Sequence, residues 1–275
     1  MKKIWNETAD SLMKVYDRRE AENISYLLLE DVFQISKSDV LLDNRKLIDA
    51  DQLRKCIERL LNKEPLQYVT GFTYFFGRKF KVQKGSLIPR PETEELVQLI
   101  IENNNIERPK ILDVGVGSGC ICISLALELK GEVYGTDISD IALEIAMKNA
   151  ADLGTEVSFR NHDILFSDLG VDELDILVSN PPYIPNQEKE MMNANVLNFE
   201  PENALFVPDN DPIIFYKRIG DLGLKSLKKD GKLYFEIHEN FGEEVRKYLE
   251  SVGYSNVCIH QDMQGKDRMM SAVRD

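Results

Sequence analysis

From residue 1 to about residue 70 the apolar positions recur every three or four residues: Leu12, Val15 and Tyr16, then Ile24, Leu27 and Leu28. Such spacing lines one face of a helix, so this stretch is predicted to form amphipathic helices with no strand among them. Ser36-Lys37-Ser38-Asp39 reads as a turn and cap, and Asp51, Leu53, Ile57, Leu60 and Leu61 predict a further helix that stops near Pro65. From Phe72 to Val82 aromatic and β-branched residues take over, with Gly77-Arg78-Lys79 between two short runs, a hairpin signal. Leu87 to Glu94 follows, and Glu94 to Ile101 again has helical spacing.

Beyond Lys110 short apolar runs alternate with helical stretches. The runs are 111–114, 133–136, 157–159, 176–178 and 233–236. Alternation of this kind predicts βαβ units and a mostly parallel sheet, an α/β fold. Three parts are expected: a helical bundle at 1–71, a β-hairpin linker at 72–90 and an α/β domain at 91–275. The bundle shows no chemistry of its own, so its expected role is to dock a partner, with stabilisation of the core as the simpler alternative.

In open α/β sheets ligands bind at the carboxyl ends of strands. Asn180-Pro181-Pro182-Tyr183 directly follows the run from Leu174 to Val178 and is expected to open the loop at such an end. Two prolines fix φ and remove two donors, which leaves the Asn180 amide and the Pro181 carbonyl in a stiff frame. With the flat ring of Tyr183 beside them, these groups suit a planar NH2: two acceptors take its hydrogens. An ordinary proline-rich turn is the bland alternative for the tetrapeptide taken alone.

Asp113-Val114-Gly115-Val116-Gly117-Ser118-Gly119 ends the first strand and opens a helix. Its glycines let the backbone turn sharply and approach a ligand. Cys120 stands where the dinucleotide fingerprint Gly-x-Gly-x-x-Gly needs its last glycine, and the Gly-x4-Gly-Lys-Ser/Thr phosphate loop is absent. Asp137 closes the second strand, where an acid can accept both hydroxyls of a ribose; the competing reading is a cap on the helix from Ile141. Asp163 is placed to accept from an adenine amino group with Ile164 against the base, and His162 beside it reads as a surface or packing residue. Together these groups suit a nucleoside cofactor without a pyrophosphate, namely S-adenosylmethionine.

Composition narrows the partners. A net charge of −13, with no basic stripe, argues against duplex DNA, whose binding draws on phosphate neutralisation, and favours a basic protein partner. No apolar stretch approaches the roughly 20 residues that span a bilayer, and the first residues lack a signal-peptide core, so a cytoplasmic protein is expected. The 4 cysteines and 3 histidines show no metal spacing or disulfide framework, and Cys120 and Cys122 read as small core residues.

On these motifs the chain resembles the release-factor glutamine methyltransferases, the HemK/PrmC family. Matching stretches are Pro65 to Gly71, Leu87 to Glu94, Asp113 to Gly119, Asn180 to Tyr183, Glu200-Pro201 and Asp262 to Arg268. The resemblance implies a Rossmann-like S-adenosylmethionine methyltransferase sheet behind a small helical domain. It also implies methylation of the glutamine of the Gly-Gly-Gln motif in class I peptide-chain release factors, in translation termination; a monomer is expected. Carried over, Asp113, Gly115, Val116, Gly117, Ser118, Gly119, Asp137, Asp163, Ile164 and Asn180 would bind the cofactor, and Asn180, Pro181, Pro182 and Tyr183 the substrate amide, with Asn180, Pro181 and Tyr183 catalytic. His238 and Phe241 depart from the family pattern, where a glycine and a glutamine are usual; this segment is expected at the far edge of the sheet. The rival readings are an adenine-amino methyltransferase acting on nucleic acid and a catalytically silent S-adenosylmethionine-binding adaptor.

Overall fold

The computed structural model describes all 275 residues. In chain order the elements are α1 (Lys2–Leu12), α2 (Arg18–Phe33), α3 (Lys37–Leu41), α4 (Ala50–Leu61), α5 (Leu66–Thr70), β1 (Phe72–Phe75), β2 (Arg78–Lys81), α6 (Pro91–Asn103), β3 (Lys110–Val114), α7 (Cys120–Leu129) and β4 (Glu132–Asp137). There follow α8 (Asp140–Asp152), β5 (Ser158–Asn161), β6 (Leu174–Ser179), β7 (Ile184–Pro185), α9 (Ala194–Phe199), β8 (Phe206–Val207), α10 (Ile214–Ser226), β9 (Leu227–Glu236), α11 (Gly242–Val252), β10 (Tyr254–Gln261) and β11 (Asp267–Arg274). The chain divides into two compact units, Met1–Phe72 with Asn193–Phe199, and Thr73–Met192 with Glu200–Asp275.

The first unit is helical. Leu12, Ala21, Ile24, Leu28, Cys56, Leu60 and Val69 form its core, which is the apolar stripe drawn inward. Three positions differ from the expected stripe. Val15 and Tyr16 lie beyond the end of α1, where the Tyr16 hydroxyl donates to the Leu60 carbonyl at 2.9 Å, and Leu27 is exposed because it sits off the Ile24–Leu28 face. The cap is as expected: Ser36 and Asp39 form a reciprocal capping box at α3.

The second unit is a 7-stranded sheet in the order β10-β11-β9-β6-β3-β4-β5. Neighbours among β9, β6, β3, β4 and β5 are parallel, and β11 is antiparallel to both β9 and β10. Apolar residues of α6, α7 and α8 form one core with the sheet, and residues of α10 and α11 form another, the three-layer arrangement of a Rossmann-like fold. β6 is buried along its whole length, as a strand covered on both faces must be. Phe75 and Phe80 of the hairpin join the first core. The hairpin turn is Phe76-Gly77, with φ of 49° and 72°, so Arg78 and Lys79 belong to the second strand and not to the turn. Positive φ at both turn residues matches the right-handed twist of the paired strands.

β10 and β11 were not among the expected strands. Their polar and apolar residues do not alternate cleanly, since they cover one margin of the sheet and carry register shifts. Their presence corrects the placement of His238: β9 lies between β11 and β6, so the segment after Glu236 leaves the sheet's interior and not its far edge.

Candidate active site

Register sets the site. Val114 pairs with Thr136 and with Ser179, Asp137 pairs with Asn161, and Ser179 pairs with Phe235. The residues that come next along these strands therefore leave the sheet side by side at its carboxyl edge. The chain runs from β3 outward through β4 and β5, then returns to β6 on the other side of β3, so β3 and β6 flank the switch point where a crevice opens. A cavity lies there. Gly115, Val116, Gly117, Ser118, Asp137, Asp163, Ile164, Asn180, Pro181 and Pro182 all line it.

The glycine loop is held from below. Gly115 and Val116 N–H groups donate to the Thr136 carbonyl at 2.7 and 3.0 Å, and Gly117 N–H donates to Asp137 Oδ2 at 2.9 Å. Gly115, Gly117 and Gly119 have φ of 80°, 54° and 82°, which a side chain would strain, and nothing occupies the space a Gly117 Cβ would take. Asn149 of α8 accepts from Lys81 N and donates to the carbonyls of Lys81 and Ser118, which ties the loop to the hairpin through one buried amide.

Asp137 accepts from Gly117 N with one oxygen and from Ser139 N with the other, at 2.9 Å each. Each oxygen keeps a lone pair, and burial pushes the carboxyl's pKa up. Helix α8 takes its cap from Ser139, whose hydroxyl accepts from Ala142 N, so capping does not account for Asp137. Asp163 accepts from Leu165 N at 3.0 Å through Oδ1, and Ile164 is buried beside it. His162 faces the same cavity, with Nε2 2.8 Å from the Asp168 carbonyl and Nδ1 buried without a partner.

Three of the expected residues do not face the cavity. Asp113 is fully buried beneath the loop, with Oδ2 accepting from Cys122 N at 3.2 Å and Oδ1 unpartnered; burial raises its pKa to about 7. Gly119 is the N-cap of α7, packed so closely that a Cβ would lie 2.7 Å from Ile123. Tyr183 turns its hydroxyl to Glu236 Oε1 at 3.1 Å.

Asn180 keeps its place on the cavity wall, where its Nδ2 donates to Thr93 Oγ1 at 3.3 Å. Thr93 in turn donates to Glu236 Oε2 at 2.6 Å. Thr93 and Glu236 carried no assigned role in the sequence. Thr93 stands in the Leu87–Glu94 stretch and Glu236 ends the run 233–236, but only the fold brings α6 and the end of β9 to Asn180. Arg90 and Glu200 form a second link, an ion pair of 2.6 Å, while the other Glu200 oxygen accepts from Ile88 N at 3.2 Å. The pair pins the Leu87–Arg90 stretch, part of the cavity wall. His238 is buried, 3.2 Å from Glu188 and edge-on to the Tyr183 ring, with Phe241 against its other side. Those departures from the family pattern thus lie behind Tyr183.

Arg90 is the one permanently cationic side chain on the wall, and Glu200 neutralises it. No free cationic side chain is left on the wall for a pyrophosphate. A nucleoside bearing a cationic sulfonium fits a wall whose free charges are Asp137 and Asp163.

The chain is similar to known proteins along its whole length. Residues 92–205 match the model of the methyltransferase small domain, and residues 4–71 match that of the PrmC N-terminal domain. A methyltransferase from Pyrococcus furiosus shares the fold, with a TM-score of 0.55 over 82% of this chain and 99% of its own at 14% identity. The matched domain is that of a methyltransferase, and relatives that align along the whole chain show the class: the chain is a methyltransferase. The release factor glutamine methyltransferase of Bacteroides thetaiotaomicron is 43% identical over 280 residues, 100% of each chain, and that of Flavobacterium psychrophilum is 41% identical over 94% of each. The chain belongs to the release factor glutamine methyltransferase family.

Proposed function

We propose that this protein methylates the side-chain amide nitrogen of the glutamine in the Gly-Gly-Gln motif of class I peptide-chain release factors, with S-adenosylmethionine as methyl donor. The observation that carries the reading is Asn180. Its NH2 is engaged by Thr93 and its Oδ1 has no partner in the protein, so a free acceptor stands on the wall of a cavity suited to the donor.

When bound, S-adenosylmethionine supplies a methyl group activated on a sulfonium. The glycine loop gives it room, Asp137 is the ribose acid, and Asp163 with Ile164 takes the adenine. An amide nitrogen is a poor nucleophile because its lone pair is shared with the carbonyl. Asn180 Oδ1 and the Pro181 carbonyl accept the two amide hydrogens, which holds the nitrogen in place and favours the positive charge that develops on it. Alignment of both reactants contributes on the order of 7 kcal/mol. Glu236 does not reach the substrate amide directly: its oxygens accept from Thr93 and Tyr183, and Thr93 stands between it and Asn180. The proton therefore leaves to solvent after transfer. The helical unit recognises the body of the folded release factor, which explains a separate apolar-cored bundle that carries no chemistry.

The same NH2 frame would suit an adenine amino group, and the charge of −13 weighs against that substrate. Methyl-donor turnover measured against a release factor, a DNA duplex and no acceptor decides the matter. Turnover with the release factor alone is expected. Turnover with the duplex would overturn the reading, and none with any acceptor would leave a silent donor-binding adaptor.

A further inference from the structure

An asparagine amide has two ends of similar size, and only one of them serves the proposed chemistry. The oxygen must face the substrate. If the NH2 faced it instead, a donor would meet the donors of the substrate amide. Something has to distinguish the two orientations.

We infer that Thr93 is the positioning residue that sets the direction of the Asn180 amide, and that Glu236 sets the direction of Thr93. A threonine hydroxyl has one hydrogen to give. Glu236 takes that hydrogen at 2.6 Å, in a position where the carboxylate is about 1% exposed. Thr93 is left with lone pairs only on its Asn180 side, so the group it binds there at 3.3 Å has to be a donor, Nδ2. Oδ1 is then the end left for the substrate. The second Glu236 oxygen accepts from the Tyr183 hydroxyl at 3.1 Å, so one buried carboxylate orders both polar side chains of the Asn180–Tyr183 tetrapeptide. Burial pushes the Glu236 pKa up, while the hydrogen bonds from Thr93 and Tyr183 and the charge of Arg268, which flanks the register position of Glu236 on β11 and pairs with Asp262 at 3.5 Å, favour the carboxylate that accepts from both. A directed chain of hydrogen bonds, acceptor to donor to acceptor, thus runs from the interior of the sheet to the reacting amide.

This inference rests on the proposed glutamine acceptor, and its test separates the two. Wild-type protein is first assayed with a release factor: no methyl transfer would contradict the proposed function, whatever Thr93 does. With an active wild type, Thr93→Val removes the hydroxyl at nearly constant volume, and Thr93→Ser keeps it. The Val variant is expected to lose about tenfold in kcat, the worth of one directing hydrogen bond. Its affinity for S-adenosylmethionine by calorimetry should stay within about twofold, and the Ser variant should recover most of the rate. If Val does not fold, Thr93→Ala carries the same expectation. Three results would overturn the assignment: a hydroxyl-free variant as fast as wild type, a Ser variant as slow as Val, or a loss of donor affinity that matches the loss of rate.

Discussion

Asp137, half-buried, and Asp113, fully buried, both stand at the glycine loop, yet their surroundings give them different work. Asp137 holds Gly117 and Ser139 in place while it faces the cavity, so its proposed part is to bind the ribose. The ribose lies away from the transferring methyl, and contacts there stabilise ground and transition states alike. Asp137→Ala is therefore expected to weaken S-adenosylmethionine binding about a hundredfold, the scale of two charge-assisted hydrogen bonds, with little change in kcat at saturation. Calorimetry beside saturated turnover checks this, and an intact affinity with a reduced kcat would remove Asp137 from the ribose. Asp113 reports on pH. Its folded pKa of about 7 stands above its ordinary value of 3.8, because burial penalises the charge. Below the lower value both states hold the proton and the group contributes nothing. As pH rises towards 7 the unfolded chain releases a proton that the native protein keeps, so stability falls through that window. Asp113→Asn should flatten this slope and be favoured over wild type at pH 8, relative to pH 5, by roughly 2 kcal/mol or more. Equal slopes in urea unfolding would show that the site is less costly to ionise than its burial implies.

At the scale of elements, one ion pair, its Glu200 buried and its Arg90 partly exposed, connects distant parts of the chain. Glu200 binds Arg90 through one oxygen and the Ile88 backbone through the other, and so fixes the stretch between the hairpin and α6 that lines the cavity. Glu200→Ala is expected to lower the melting midpoint by several degrees and to weaken S-adenosylmethionine binding about tenfold, as the freed Arg90 and Ile88 groups pull the wall out of shape. A variant with wild-type donor affinity would show that the wall holds without the pair. The same link shows what the sequence could reveal. The strands from Lys110 to Ser179 were legible because runs of aliphatic residues sit between glycine turns, and the edge residues could be named from their place after those runs. The contacts of Thr93 and Glu236, or of Arg90 and Glu200, span more than a hundred positions, and no local pattern carries such a pairing. His238 was misplaced for a related reason: β11, which covers β9, is a mixed strand with no clear alternation, and without it β9 reads as the sheet margin.

The whole molecule joins a cavity that fits a methyl donor to a helical unit that has a core and no cavity chemistry. Under the proposed docking role, remote contacts with the release factor body orient the reacting amide, so their loss should depress kcat as well as raise KM. A truncation that begins near Gly71, first shown by calorimetry to fold and bind S-adenosylmethionine, is expected to lose at least tenfold in kcat on an intact release factor while it treats a short Gly-Gly-Gln peptide like the full chain does. Full activity of the truncation on the intact protein would confine the helical unit to stabilising the fold. At the centre of the proposed reaction, Asn180 presents an acceptor to a glutamine amide at the carboxyl edge of β6. Tandem mass spectrometry of a release factor incubated with S-adenosylmethionine and the wild-type protein, or with an Asn180→Ala variant of normal donor affinity, tests it most directly. The account predicts one methyl group on the side-chain nitrogen of the Gly-Gly-Gln glutamine with wild type and almost none with the variant. A methyl group on any other residue, or equal methylation by the variant, would contradict it.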